Sequence, residues 1–267
     1  MLDITNQEFK QFQNFIFEAS GITLPDVKKT LVRGRLAKRL QHHHLKSFSD
    51  YYRMITSVNG GAEAQIAIDL LTTNETYFFR EMKHFDWLKE QAQNFKTSRE
   101  QMFRVWSAAS STGEEAYSIS MVLMDCLEFR QWEVLGSDIS SRVLQRAKQG
   151  HYPDERTEHI PSTYLKKFCL KGTSEYEGTL LIKKEVRDRV KFVQINLNET
   201  LPSVGQFDVV FLRNVMIYFS NDTKQKVVQR IASVIKPGGY LFIGHSESLH
   251  NITDVVKPVA PAIYVKP

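Results

Sequence analysis

The chain has 267 residues, 42% of them hydrophobic and 24% charged, the balance of a soluble globular protein able to bury a core in one large domain or two modest ones. No run approaches the ~18–20 uninterrupted apolar residues of a membrane span, and the acidic, amphipathic start MLDITNQEFKQF does not read as a secretory signal. Net charge is +5 with a pI near 9.0, which points to an acidic partner: nucleic acid, an anionic membrane or an acidic protein surface.

The first part of the chain reads as helices. Residues 6–19 place Phe9, Phe12, Phe15 and Ile16 at helical spacing. Residues 26–40 carry Leu31, Leu36 and Leu40 on one side and Lys28, Lys29, Arg33, Arg35, Lys38 and Arg39 on the rest. Residues 49–55 and 63–71 add two more helices, giving a small bundle over residues 1–99 with a linker near 96–101. Residues 28–46 hold three His among their Lys and Arg, and no acid. Consecutive histidines on a helix point in different directions, so His42, His43 and His44 read as part of a basic face rather than a metal site.

The stretch LLTTNETYFFRE, residues 70–81, is unusual. Thr72, Thr73, Asn74 and Thr76 surround Glu75 and run straight into Tyr77, Phe78, Phe79 and Arg80. One reading is an N-cap opening a helix whose aromatic face packs inward; the other is a surface that holds a ligand.

From Phe103 the pattern alternates. FRVWSAA is a strand, EEAYSISMVLMDCL a helix, WEVLGSD a strand, and SSRVLQRAKQG a helix closed by Gly150. VKFVQINL and FDVVFLRN are strands, DTKQKVVQRIASVIKPGG a helix with a Gly stop, and YLFIGHS and AIYVKP strands. The α/β domain therefore covers residues 100–267, with a mostly parallel sheet and helices on both faces. Within it, about residues 151–190 break the alternation and read as an antiparallel β insertion.

Ligands of such sheets bind beyond the carboxyl ends of the strands. After the first strand, SAASSTGEE lacks both GxGxxG and GKS/T, so dinucleotide and P-loop fingerprints fail. Its small residues still admit a close ligand. Glu114 and Glu115 would repel a pyrophosphate, or they merely complement the helix dipole. Asp138 ends the second strand, placed to accept hydrogen bonds from both ribose hydroxyls or to cap the next helix. The amide of Asn196 suits an adenine edge, with Leu197 against the ring; Leu212, Arg213 and Asn214 follow FDVVF, and then comes Val215 to Phe219. An adenosine site without a phosphate cradle suggests S-adenosyl-L-methionine. Two features are set aside. Gly244-His245-Ser246-Glu247-Ser248 mimics a nucleophile elbow but lacks its last Gly and the helix that should follow. The sequons at Asn74 and Asn198 lack a secretory context. Cys126 and Cys169 have no metal spacing and fit a reducing cytoplasm.

LLTTNETYFFRE, VWSAASSTGEEAYSI, GSDIS, FDVVFLRNVMIYF and KPGGYLFIGHSESL, in this order, closely resemble the CheR family of chemoreceptor methyltransferases. The resemblance implies an all-α N-terminal domain followed by a Rossmann-like methyltransferase domain with a three-stranded β-subdomain. It implies methyl transfer from S-adenosyl-L-methionine to receptor glutamates, giving methyl esters for chemotactic adaptation and S-adenosyl-L-homocysteine as product. Asn74, Thr76 and Arg80 would line the cofactor site. Glu115, Asp138, Asn196, Leu197, Leu212 and Arg213 would complete it, the last two partly through backbone, with Asn214 nearby. Arg80 would grip a carboxylate and Tyr218 would orient the incoming glutamate, with no metal involved. Arg33, Arg35 and Arg39 on the basic helix would dock the acidic methylation segments of the receptor. The β-subdomain of some members adds the receptor's C-terminal pentapeptide as a strand through a Gly-x-Gly turn; here that turn reads Gly172-Thr173-Ser174. The expected location is the cytoplasm. Two other functions fit the residues alone: a methyltransferase acting on a small molecule or nucleic acid, and a non-enzymatic sensor of the cofactor.

Overall fold

A computed structural model describes residues 2–95, 102–127 and 131–267; the expected linker at 96–101 lies outside them. Helix α1 (Asn6–Ser20) opens on a capping box, with the Thr5 hydroxyl accepting from the Glu8 N–H and the Glu8 carboxylate accepting from the Thr5 N–H. It stops at Gly21, which takes the left-handed φ of 74°. A short 3-10 turn, Asp26–Lys28, leads into α2 (Lys29–His42), and α3 (Phe48–Thr56) and α4 (Gly61–Leu71) complete the bundle. Phe12 sits at its centre, 6.3 Å from Phe48 and 6.2 Å from Tyr51 between ring centroids. The buried stripe of α2 is Val32, Leu36 and Leu40. Leu31, expected in that stripe, lies about 100° round the helix from Val32 and instead lines the cleft described below.

Residues 72–82 form no helix, so the N-cap reading of LLTTNETYFFRE is wrong. The segment runs irregularly, and Phe79 and Glu81 adopt φ of 54° and 60°. Tertiary packing overrides helix propensity here. Phe78 and Phe79 are both buried, Phe78 edge-on to Tyr152 and Phe79 against Phe85, which an amphipathic helix with adjacent aromatics would not allow. A helix not expected from the sequence, α5 (Lys83–Asn94), follows.

The α/β part begins with β1 (Phe103–Ser107), α6 (Glu114–Leu127), β2 (Trp132–Asp138) and α7 (Ser141–Gln149), the last closed by left-handed Gly150. The insertion contains β3 (His151–Pro153), α8 (Ser162–Phe168), β4 (Cys169–Lys171), β5 (Thr179–Ile182) and α9 (Lys184–Arg187). Then come β6 (Val190–Gln194), β7 (Phe207–Leu212), α10 (Asn221–Ser233), β8 (Ile235–Ile243), β9 (Lys257–Ala260) and β10 (Ile263–Val265). The main sheet has the order β6-β2-β1-β7-β8-β10-β9, with β10 antiparallel to both β8 and β9 and the other pairs parallel. The insertion forms its own antiparallel sheet, β3-β5-β4, as expected. The expected Gly stop of the last helix is not there. Helix α10 ends at Ser233, and Lys236-Pro237-Gly238-Gly239 already belongs to β8, where buried Ile235 pairs with Phe207.

Strand alternation divides the core in two. Trp106 and Val210 face one hydrophobic cluster shared with α1–α4 and α10. Val105, Val209 and Phe211 face the other, shared with α5, α6 and the insertion. The N-terminal bundle is therefore part of one sheet-covering layer, and a bridge from Ile22 to Phe219 joins it to the loop after β7.

Candidate active site

Strand order reverses direction from β1, whose neighbours are β2 and β7, so the loops after these strands part and leave a crevice. Residues 20–31 and 71–80 wall it. Asn74, Thr76, Arg80, Glu115, Asp138, Asn196, Leu197, Arg213, Asn214 and Tyr218 all line this one cleft. Of the expected pocket residues only Leu212 does not: its side chain is fully buried in β7.

The floor is built for close approach. Ala108 and Ala109 follow β1, and Gly113 at φ 97° lets the loop turn where a Cβ would lie 2.9 Å from the Ala147 Cβ and 3.0 Å from the Tyr152 hydroxyl. Asp138 is 8% exposed. Its two carboxylate oxygens accept the N–H groups of Ser111 and Ser140, each at 2.9 Å, which ties together the loops after β1 and β2. Ser140, not Asp138, caps α7. Burial pushes the Asp138 carboxyl up to about 6 against those hydrogen bonds.

Glu115 is held by the Ser107 hydroxyl at 2.7 Å and by Arg213 at 2.8 Å; burial raises its pKa. The Arg213 guanidinium also reaches Glu81 at 2.9 Å, donates to the Arg80 carbonyl, and lies over the rings of Phe85 and Phe211. This arginine thus joins the end of β7 to α6 and to the end of the 72–82 segment. More stitches hold that segment: the Ser111 hydroxyl donates to the Asn74 carbonyl, Arg156 to the Thr76 carbonyl, and the Phe79 N–H to Ser118. The Asn74 amide reaches Thr72 at 3.3 Å.

Arg80, by contrast, makes one 3.3 Å hydrogen bond to the Glu75 carbonyl and lies 5.7 Å from the centre of the Tyr77 ring. No carboxylate pairs with it among the described residues. Tyr218 is half-buried and lines the same cleft as Arg80; burial raises its pKa, with the Arg80 charge acting in the opposite direction. The Asn196 amide is not free to read an adenine edge: both its hydrogens are donated, to the Ala19 carbonyl and to Glu199, and its oxygen accepts from the Asn198 N–H. It shapes the cleft by pinning the loop after β6 to α1.

The three docking candidates are partly committed inside the bundle. Arg39 pairs with Glu63 at 2.6 Å, Arg33 lies 3.3 Å from Asp3, and Arg35 donates to the carbonyls of Leu71 and Thr72. The run around them is acid-free in sequence but not in space. His43 also contacts Glu63, so the histidine triplet is split by the fold.

Glu247 is a residue that sequence reasoning assigned no role. Its carboxylate accepts the N–H groups of Gly244 at 2.7 Å, Asn214 at 2.8 Å and Ile217 at 3.3 Å, fixing the loop that carries Arg213 and Tyr218. The GHSES motif was the available signal, though for different chemistry. Glu81, His84 and His245 come within ligand spacing of a metal. Arg213 already supplies the positive charge at the Glu81 carboxylate, and burial pushes His84 down to about 3.

An all-α domain and an S-adenosylmethionine-binding domain, both described for CheR methyltransferases, match residues 7–72 and 74–265. The chemotaxis protein methyltransferase of Escherichia coli strain K12 is 38% identical, over 94% of this chain and 87% of its own length. Chemotaxis protein methyltransferase 2 of Pseudomonas aeruginosa is also 38% identical, over 97% and 93%. The chemotaxis protein methyltransferase of Borreliella burgdorferi is 34% identical, over 99% and 96%. With both domain profiles and these near-full-length similarities on one Rossmann-like fold, the chain belongs to the CheR family of S-adenosylmethionine-dependent methyltransferases.

Proposed function

We propose that this protein methylates glutamate side chains of chemoreceptors, leaving glutamate methyl esters and S-adenosyl-L-homocysteine. The observation that carries the reading is the convergence of Asp138, Glu115, Arg80 and Tyr218 in the single strand-end cleft of a CheR-family chain. The donor set fits the cofactor: acids for ribose hydroxyls and an ammonium, a free guanidinium for a carboxylate, small residues beside the backbone, and no phosphate cradle. When bound, S-adenosyl-L-methionine supplies a methyl group on a positively charged sulfur.

Asp138 and Glu115 would hold the ribose and the ammonium, Leu197 the adenine face, and Asn74 and Thr76 the near wall. Arg80 would grip a carboxylate of cofactor or substrate, and the Tyr218 hydroxyl would orient the glutamate. A glutamate is already ionised at neutral pH, so no protein base has to activate it. Alignment by these residues can supply ~7–11 kcal/mol of the barrier. Opposite charges cancel during transfer, so exclusion of water by the 72–80 segment would favour it.

A finer part of the reading concerns tethering. We infer that the β3-β5-β4 sheet takes the C-terminal segment of a receptor along an edge strand. Gly172 is confined by the Tyr176 carbonyl, and Ser174 adopts φ 56°, the left-handed conformation a glycine would take at lower cost. Among the described residues no helix is long and apolar enough to cross a membrane; the proposed place of action is the cytoplasmic face of receptor-bearing membranes. Incubation with such membranes and labelled cofactor should give base-labile methyl esters. Cofactor binding without ester would favour a sensor, and label in nucleic acid or a small molecule would favour a different methyltransferase.

A further inference from the structure

We propose that the glutamate-rich helix of the protein substrate docks in a basic cleft on the outer side of residues 72–77, formed by Arg35 of α2, Arg142 and Arg146 of α7, and Arg156 of the insertion. The proposal rests on the methyltransferase reading above and names where its substrate lies. These four arginines come from two distant parts of the sequence, 35 and 142–156, and line one cleft together with the described acids Glu75 and Glu155.

Four guanidiniums against the carboxylates of Glu75, Glu155 and the Arg156 partner Glu114 leave the cleft an excess of positive charge. Of the four, Arg156 alone has an ion-pair partner among the described residues, Glu114 at 3.1 Å. Arg35 donates to the carbonyls of Leu71 and Thr72 and Arg142 to the carbonyl of Asp69. Such bonds fix a guanidinium in place and leave its charge intact. Arg146 is exposed on α7. Burial, and after it the like charge of Arg142, lower the Arg35 pKa against a smaller opposing pull from Tyr218 and Glu75, so the fold holds two cations close enough to repel. An anionic partner relieves that repulsion, and an amphipathic helix bearing several glutamates offers repeated carboxylates along one face.

Position supports the same occupant. Asn74, Glu75 and Thr76 line both this cleft and the cofactor pocket, so a helix seated here lies one chain thickness from the transfer site. Of the other arginines on α2, Arg39 and Arg33 already have acidic partners.

The test is Arg142→Glu with Arg146→Glu, and Arg146→Glu alone in case the Arg142 contact to α4 matters for folding. Lys10→Glu with Lys226→Glu, on exposed sites of α1 and α10 outside the cleft, makes the same change in net charge. Initial rates of ester formation are measured against receptor concentration at low and high salt, with cofactor affinity by calorimetry. The receptor KM should rise at least about tenfold at low salt in the double variant, and in the same direction in Arg146→Glu. The gap should narrow as salt rises, while kcat and cofactor affinity stay at wild-type values and the control pair behaves as wild type. Unchanged KM in both cleft variants, an equal rise in the control pair, or tighter binding of RNA than of a glutamate-rich helical peptide overturns the proposal. A wild-type protein that forms no ester overturns the functional reading instead, and calorimetry with that peptide still decides the cleft.

Discussion

Replacing Asp138 with Ala tests the cofactor pocket at its most buried acid. The carboxylate lines the cleft and already accepts two backbone N–H groups, and each oxygen keeps a further acceptor site for a ribose hydroxyl. Two hydrogen bonds to a charged acceptor are worth about 1.5–3 kcal/mol apiece, so cofactor affinity should fall by at least about tenfold and by far more if both are formed. The pH dependence gives a second, independent readout. Burial sets the apo carboxyl near 6, and two ribose hydroxyls bond more strongly to its ionised form, in which both oxygens are acceptors only. Wild-type affinity should therefore weaken by up to about tenfold per unit as pH falls below that value. The cofactor's own carboxylate and ammonium keep their charges over this range. Because the folded pKa lies above the ordinary value of 3.8, Asp138 favours the folded apo protein below that value and loses this contribution as pH rises through about 6. Calorimetry from mildly acidic to neutral pH, with thermal melts as a folding control, measures both effects. A folded Asp138→Ala protein with wild-type affinity and the same pH slope would refute the assignment.

Arg80→Ala should abolish methyl transfer while the melting temperature hardly moves, since the side chain makes only one long hydrogen bond and a ring contact; near-normal turnover in a radiolabel assay would return Arg80 to a structural role. Arg39→Ala leaves Glu63 with only Tyr51 and His43, and should destabilise the bundle by about 1–3 kcal/mol in denaturant melts without changing cofactor affinity. Against burial, the partners of Glu63 hold its carboxyl at about 2, so this stabilisation is present above the ordinary value of 4.5 and is lost as pH falls towards about 2. Glu247→Ala frees three backbone N–H groups around Tyr218; turnover should drop more than cofactor affinity, which comparison of kcat with calorimetric affinity would show.

The sequence by itself determined which segments alternate between strand and helix, because hydrophobic period depends on local spacing alone. EEAYSISMVLMDCL and WEVLGSD coincide with α6 and β2 residue for residue. It also picked out the loops that meet at one crevice, because a parallel sheet presents the ends of its strands, and nine of its ten pocket candidates, counting Asn214 and not Tyr218, line the cleft. What it could not settle was which polar groups remain free, since that depends on neighbours far away in the chain. Arg39 looked available until Glu63 met it across the bundle, and Asn196 until Ala19 took its amide. Arg80 stayed free because the Arg213 guanidinium, and not its own, pairs with Glu81 and Glu115. The 72–82 segment shows the same limit in the backbone. Local propensity allowed a helix, but burying Phe78 and Phe79 side by side against the second core cluster required an irregular chain, and only the assembled sheet supplies that cluster.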